Sequence, residues 1–281
     1  MRQVGIVTDS TSDITPQIAQ ELDIDVVPLH VAIGRETFTD GDLTQEEFFL
    51  RMEEASSLPT TSQPSVGAFA EAYRSGLEGF ERIVSVHISA ALSGTIESAH
   101  EAARQFGGRV EVFDTRNLSW GEALQVGEAA RAAAAGASVS DVLRVLEHAR
   151  SHVRMVVGLD TLDNLAKGGR IGKVAALVGG LLNMRVLITM NEHGSFDVAG
   201  KARGATAALE TTVEWVAKQM GDVLRGRFVV MHALSADKAE WLESRLRELF
   251  DVVELRVIKA GAVITTHTGT GWGVEVLPIE G

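Results

Sequence analysis

The sequence predicts an α/β protein of two domains: an N-terminal one built on a mainly parallel sheet with flanking helices, and a C-terminal one with a mixed, partly antiparallel sheet and helices. Three observations predict it. Through the first half, short apolar runs alternate with amphipathic or Ala-rich stretches, the rhythm of strand–helix units. In the second half, Val186 to Met190 and Phe196 to Ala199 flank Asn191 to Ser195 as a hairpin, which brings in antiparallel pairing. Finally, 281 residues with 45% hydrophobic content suffice to fill two cores. The boundary is placed near residue 153, giving domains of 1–152 and 153–281.

The elements follow in order. Val4 to Val7 reads as a short strand running into Thr8-Asp9-Ser10-Thr11-Ser12-Asp13, after which Thr15 and Pro16 occupy the N-cap and first-turn positions of a helix. Ile24 to Val31 is a second apolar run, split by Pro28, as an edge strand tolerates. Thr44 and Glu47 form a capping box before a helix over Glu46 to Ala55. In Leu58 to Ser65 two prolines disfavour a helix and leave three hydroxyls and an amide in a loop. Ser65 then caps a helix whose apolar face is Val66, Phe69, Ala70, Tyr73 and Leu77.

The stretch Arg82 to Thr95 repeats the plan. Ile83 to Ile88 is a buried strand, and Ser89, Ser93, Gly94 and Thr95 turn into a helix reaching about Phe106. Arg109 to Phe113 is a strand ending at Asp114, and helices over Ser119 to Ala135 and Ser140 to His152 close this half. In a parallel sheet, ligand loops lie at the carboxyl ends of the strands, which is where Ser10, Thr61 and Ser93 are expected. Beyond the boundary, Arg154 to Leu159, Arg227 to Met231, Val252 to Ile258 and Val274 to Leu277 read as strands. Leu162 to Lys167, Thr206 to Gly221 and Ala236 to Phe250 read as helices.

Composition narrows the function. A formal net charge of −12, without a dense Lys/Arg run, argues against nucleic-acid binding. Zero Cys removes disulfides, thiolate metal sites and a Cys nucleophile. The opening MRQVGIVTDS reads as a strand entering a turn, with no export signal. Val174 to Met184, the most apolar later stretch, is broken by Asn183 and falls short of the ~20 residues a bilayer span needs. A soluble, cytoplasmic protein without stable membrane insertion is therefore expected.

The chemistry converges on an anion. A strand-to-helix turn presents free backbone N–H groups with hydroxyls beside them, and such a spot attracts phosphate or carboxylate. His267, in the Gly/Thr-rich stretch Ala262 to Gly271, is positioned to bond a carboxylate or act as a base, and Arg170, in the loop Gly168 to Gly172, offers one cation. His30, His87, His152 and His232 sit in or beside apolar segments and read as structural. No metal-site spacing, P-loop or strand-following G-x-G-x-x-G is present, so no metal and no cofactor is expected. A hydrolase reading would take Ser93 as nucleophile, His267 as base and Asp9 as orienter, but Ser93 lacks the G-x-S-x-G elbow. Several hydroxyls aimed at one point fit holding a carboxylate better than attacking a carbonyl.

Taken together, Thr8 to Asp13, Pro59 to Ser65, Leu92-Ser93-Gly94-Thr95, Lys167 to Ile171 and the loop from His267 to Gly273 resemble the DegV family in order and spacing, over essentially the whole chain. The resemblance implies a lipid-binding protein enclosing one long-chain fatty acid, such as palmitate, in a pocket between the two domains. Thr61 and Ser93 would hold its carboxylate, and an apolar tunnel its tail. Ser62, Gly94, Thr95 and His267 would line the same pocket, and Arg170 would face a kinase or the transferred phosphoryl group. It also implies a role in fatty acid metabolism and lipid transport, as a carrier presenting the fatty acid to a fatty acid kinase subunit for acyl phosphate formation. Such a chain is not itself an enzyme; a serine-dependent hydrolase or phosphotransferase at the same pocket is the alternative. The sequence departs from the family pattern at Ala90 and Ala91, at Thr270 in place of proline, and at Arg185-Val186 in place of Lys-Pro.

Overall fold

The computed structural model describes residues 2–177 and 184–279. The chain forms two compact units, one of residues 1–32, 37–42 and 61–151, the other of residues 33–36, 43–60 and 152–281. The expected apolar run Val174 to Met184 lies largely outside the described residues. No helix among them is long and apolar enough to cross a membrane.

In the first unit, β1 (Arg2–Asp9) leads through a single 3-10 turn to α1 (Pro16–Leu22), whose N-cap Thr15 accepts from the Ile18 amide. The run expected to be one strand is two, β2 (Ile24–Val27) and β3 (His30–Ile33). Pro28 cannot donate to a ladder, and the chain changes sheets there. The Leu29 amide just beyond it is bound by Ser10 Oγ at 3.0 Å. β3 joins β4 (Glu36–Thr39) and β5 (Thr60–Ser62) in a small three-stranded sheet of order β4-β3-β5. Between them in sequence lies α2 (Gln45–Glu54), which carries the Thr44–Glu47 capping box.

After β5 come α3 (Val66–Gly79), β6 (Phe80–His87), α4 (Thr95–Ala103), β7 (Val110–Asp114), α5 (Ser119–Ala134) and α6 (Val139–His152). The main sheet has the order β2-β1-β6-β7, and every pairing in it is parallel. Its helices bury Phe69, Tyr73, Ala99 and Ala102 against Val7, Val27 and Ile83. The carboxyl ends of the adjacent strands β1 and β6 therefore open side by side, at Ser10 and Ser89. Asp114, at the end of β7, accepts from the Arg116 amide at 2.8 Å and so stabilises its own turn.

The second unit holds a six-stranded sheet. Its elements are β8 (Arg154–Leu159), α7 (Asp163–Lys167), β9 (Met184–Met190), β10 (Phe196–Arg203), α8 (Ala205–Met220), β11 (Arg225–Ala233), α9 (Ala236–Leu249), β12 (Asp251–Lys259), α10 (Ala262–Thr268) and β13 (Gly271–Pro278). The order is β10-β9-β8-β13-β11-β12, with β11 and β12 parallel and the other pairs antiparallel. Trp272, Phe228, Leu242 and Leu246 anchor its core, and the Trp272 indole donates to Thr212 Oγ1 at 3.2 Å. α2 belongs here: Gln45 donates to the carbonyls of His232 at 3.1 Å and Ala260 at 2.9 Å, and accepts from the Leu234 amide at 3.1 Å.

The stretch before His267 is helical rather than a loop. Its β-branched residues hide the helix signal. Their hydroxyls settle inside the helix, Thr266 Oγ1 on the Ala262 carbonyl at 2.8 Å and Thr268 Oγ1 on that of Ile264 at 3.0 Å.

Candidate anion site

Ser93, Gly94 and Thr95 occupy the passage from β6 into α4. Gly94 is the N-cap and supplies no side chain to the first turn, so the positive end of the helix is left to the hydroxyls beside it. Ser93 Oγ lies 2.8 Å from Thr95 Oγ1 and accepts from the Thr95 amide at 3.3 Å. The loop behind is fastened to the Ser89 carbonyl, which accepts from the amides of Leu92 at 3.0 Å and Ser93 at 3.2 Å. Thr95 is buried and Ser93 half-buried, while Glu97, the acid of the first turn, is exposed.

Thr61 and Ser62 are not in a loop, as expected, but in β5; Thr61 is half-buried and Ser62 exposed. Gln63 joins this strand to the helix start. Its Nε2 donates to Ser98 Oγ at 2.8 Å, and its amide lies against Gly94, where a Cβ would stand 2.3 Å from Oε1. A side chain at 94 would therefore push the Gln63 amide away from Ser98. Gln63 thus links the strand that carries Thr61 and Ser62 to the helix start that carries Ser93, Gly94 and Thr95.

His267 and Arg170 form a second group, within the other unit. The His267 ring lies against Gly168, where an added Cβ would be 2.6 Å from Nδ1, and Arg170 Nη1 donates to the Gly168 carbonyl at 2.7 Å. Burial, and then the charge of Arg170, push the His267 pKa down to about 4, so the ring is neutral at pH 7. A neutral imidazole and a guanidinium together suit an anionic partner.

Sequence reasoning missed three features. Gln63 and Ser98, which hold the corner together, carry no motif of their own. His87 is not a solitary core histidine: its Nδ1 is 2.9 Å from Asp9 Oδ2 and its Nε2 2.6 Å from Ser85 Oγ, all three residues being fully buried. This pairing also gives Asp9 a role inside its own unit, its carboxylate fully buried among Thr11, His87 and Ile88. Thirdly, two of the departures from the family pattern meet at one acid: Thr270 Oγ1 donates to Asp160 Oδ2 at 2.6 Å, and Arg185 Nη1 is 2.7 Å from Asp160 Oδ1. A helix-rich stretch containing one buried glutamate, Glu122 among Trp120, Ala123 and Leu124, was a signal available in the sequence.

A parallel-sheet unit with a hydroxyl-lined strand-to-helix corner, and a mixed-sheet unit with a neutral histidine beside an arginine, make this an α/β protein of two units. The chain belongs to the DegV family, whose model, described as "Uncharacterised protein, DegV family", matches residues 3–278. A DegV domain-containing protein of Deinococcus radiodurans is 37% identical over 281 residues, covering 99% of both chains. Among solved structures, that described as "Fatty Acid Binding of a DegV family Protein from Thermus thermophilus" superposes with a TM-score of 0.94 at 36% identity, covering 99% of this chain and 100% of the other. A DegV lipid binding protein of Thermotoga maritima gives 0.89 at 31% identity, covering 99% of each chain.

Proposed function

We propose that this chain binds a long-chain fatty acid, its carboxylate held by Thr61 and Ser93 and its tail in an apolar tunnel. The observation that carries this reading is the start of α4. A helix N-terminus without a side-chain cap is flanked by the Ser93–Thr95 hydroxyl pair and tied through Gln63 to the strand of Thr61. Donors of this kind satisfy a carboxylate, and about 0.8 kcal/mol per buried CH₂ supplies most of the affinity. Relatives described as fatty-acid and lipid binding support the same ligand class. Ser62, Gly94 and Thr95 stand beside the carboxylate in the first unit, and His267 is the candidate ligand residue of the second. The chain acts as a carrier that presents the carboxylate to a kinase for acyl phosphate formation, and Arg170 faces that kinase or the transferred phosphoryl group.

Native mass spectrometry and lipid extraction of the purified protein test this. A retained fatty acid, lost when Thr61 and Ser93 are both replaced by Ala, is the expected result. Absence of lipid, with ester hydrolysis abolished by Ser93→Ala, would overturn the carrier reading in favour of the hydrolase one.

A further inference from the structure

Beneath the Ser93 corner runs a buried chain of polar side chains that the proposed binding does not use. Asp9 accepts four hydrogen bonds. They come from the Thr11 amide at 3.0 Å and the Thr11 hydroxyl onto Oδ1, and from His87 Nδ1 at 2.9 Å and the Ile88 amide at 3.2 Å onto Oδ2. On the far side, Glu122 Oε1 accepts from Thr8 Oγ1 at 3.1 Å, and its Oε2 stands 3.1 Å from the same Thr11 hydroxyl.

A hydroxyl has one proton to give. Thr11 gives it to Asp9, whose carboxylate is held in its charged form by two backbone amides and His87, whereas Glu122 accepts otherwise only from Thr8 among the described residues. Its contact with Glu122 Oε2 is then either two facing lone pairs or a hydrogen bond donated by Glu122. Resting on the reading of the Ser93 corner as an anion site, we propose that Glu122 is a neutral carboxylic acid donating to Thr11, and that the chain Glu122–Thr11–Asp9–His87 positions the Ser89–Thr95 loop.

The connection to the loop is short. Asp9 holds the Ile88 amide, the next residue is Ser89, and the Ser89 carbonyl fastens Leu92 and Ser93. From the other side the Thr115 hydroxyl holds the His87 carbonyl at 2.8 Å, and the Asn117 carbonyl the Ser89 amide at 2.8 Å. Glu122 is faced by Asp9 at the end of β1, by Asp13 in the turn after it and, beyond Asp9, by His87 of β6. Complete burial first, and the charges of Asp9 and Asp13 in support, raise its pKa well above 4.5. A second carboxylate charge is thereby kept out from under a loop that receives an anion.

Glu122→Gln decides the matter, because glutamine reproduces the neutral acid: its carbonyl accepts from Thr8 and its N–H donates to Thr11. At pH 7, palmitate binding is expected to weaken about tenfold in Glu122→Ala and to return to within about twofold of wild type in Glu122→Gln. Infrared spectroscopy of the full-length wild type is expected to show the carbonyl stretch of a protonated carboxylic acid that is missing from Glu122→Gln. Stability supplies a third readout. A carboxyl whose folded pKa is raised contributes stability fully below about pH 4.5 that is lost as pH climbs towards the folded value, a slope present in wild type and absent from Glu122→Gln. A Gln variant as impaired as the Ala variant, or a wild type without the infrared band, overturns the proposal. The band and the slope are read without lipid, so failure of fatty-acid binding alone leaves the Glu122 result standing and indicts only the ligand.

Discussion

The two units differ in how tightly volume and charge constrain their candidate residues. In the first, the Ser93 corner rests on a saturated chain of buried polar groups, in which Asp9, His87, Ser85 and the Tyr73 hydroxyl, 2.8 Å from Ser85 Oγ, follow one another through the sheet. In the second, the His267 ring is laid on Gly168, with α7 tied to α10 by Asn164 donating to the Thr266 carbonyl at 3.4 Å. Polar fixing makes a site sensitive to charge and hydrogen-bond count. Steric fixing makes it sensitive to volume.

Substitutions that separate charge from volume test this contrast. The largest effect is expected at Asp9→Ala, which leaves His87 and two backbone amides without their buried acceptor and should destabilise the protein by about 3–5 kcal/mol, read by urea denaturation. Next is Gly168→Ala, whose methyl group meets His267 and the Asn164 carbonyl; a loss of about 2 kcal/mol is expected, largely relieved in the double variant with His267→Ala. An undiminished penalty in that double variant would place the constraint in the backbone instead of the ring.

A pH titration gives an effect of comparable size, reached only at its acid end. His267 has a folded pKa of about 4 against 6.5, so its contribution is complete above pH 6.5 and is lost as pH falls towards 4, by about 3 kcal/mol at most. His267→Gln should flatten that limb of the stability profile. Smallest is Gln63→Ala, which removes the link to Ser98 and should cost about 1 kcal/mol, with faster hydrogen exchange in the first turn of α4 as its local signature.

What could be read from the sequence was local. Thr15 before Pro16, the Thr44–Glu47 box and Ser65 each cap the helix they predict, because a cap is written in four adjacent residues. The hydroxyl-rich runs around Thr61 and Ser93 were equally visible. What holds them was not: Gln63 meets Ser98 across 35 positions, and His87 meets Asp9 across 78, distances over which no period or motif operates. Pro28 announced a break but not that the chain would leave for another sheet. α10 was hidden by threonines whose hydroxyls turn inward to their own backbone.

The placement of α2 has a consequence in time. During synthesis Gln45 leaves the ribosome 187 residues ahead of His232 and 215 ahead of Ala260, the groups whose carbonyls it binds. Until the last stretch of the chain has emerged, this helix has no docking site. The second unit therefore closes late, around a segment made early, and a nascent chain halted midway exposes the apolar face of α2, with Phe48 and Phe49, to chaperones.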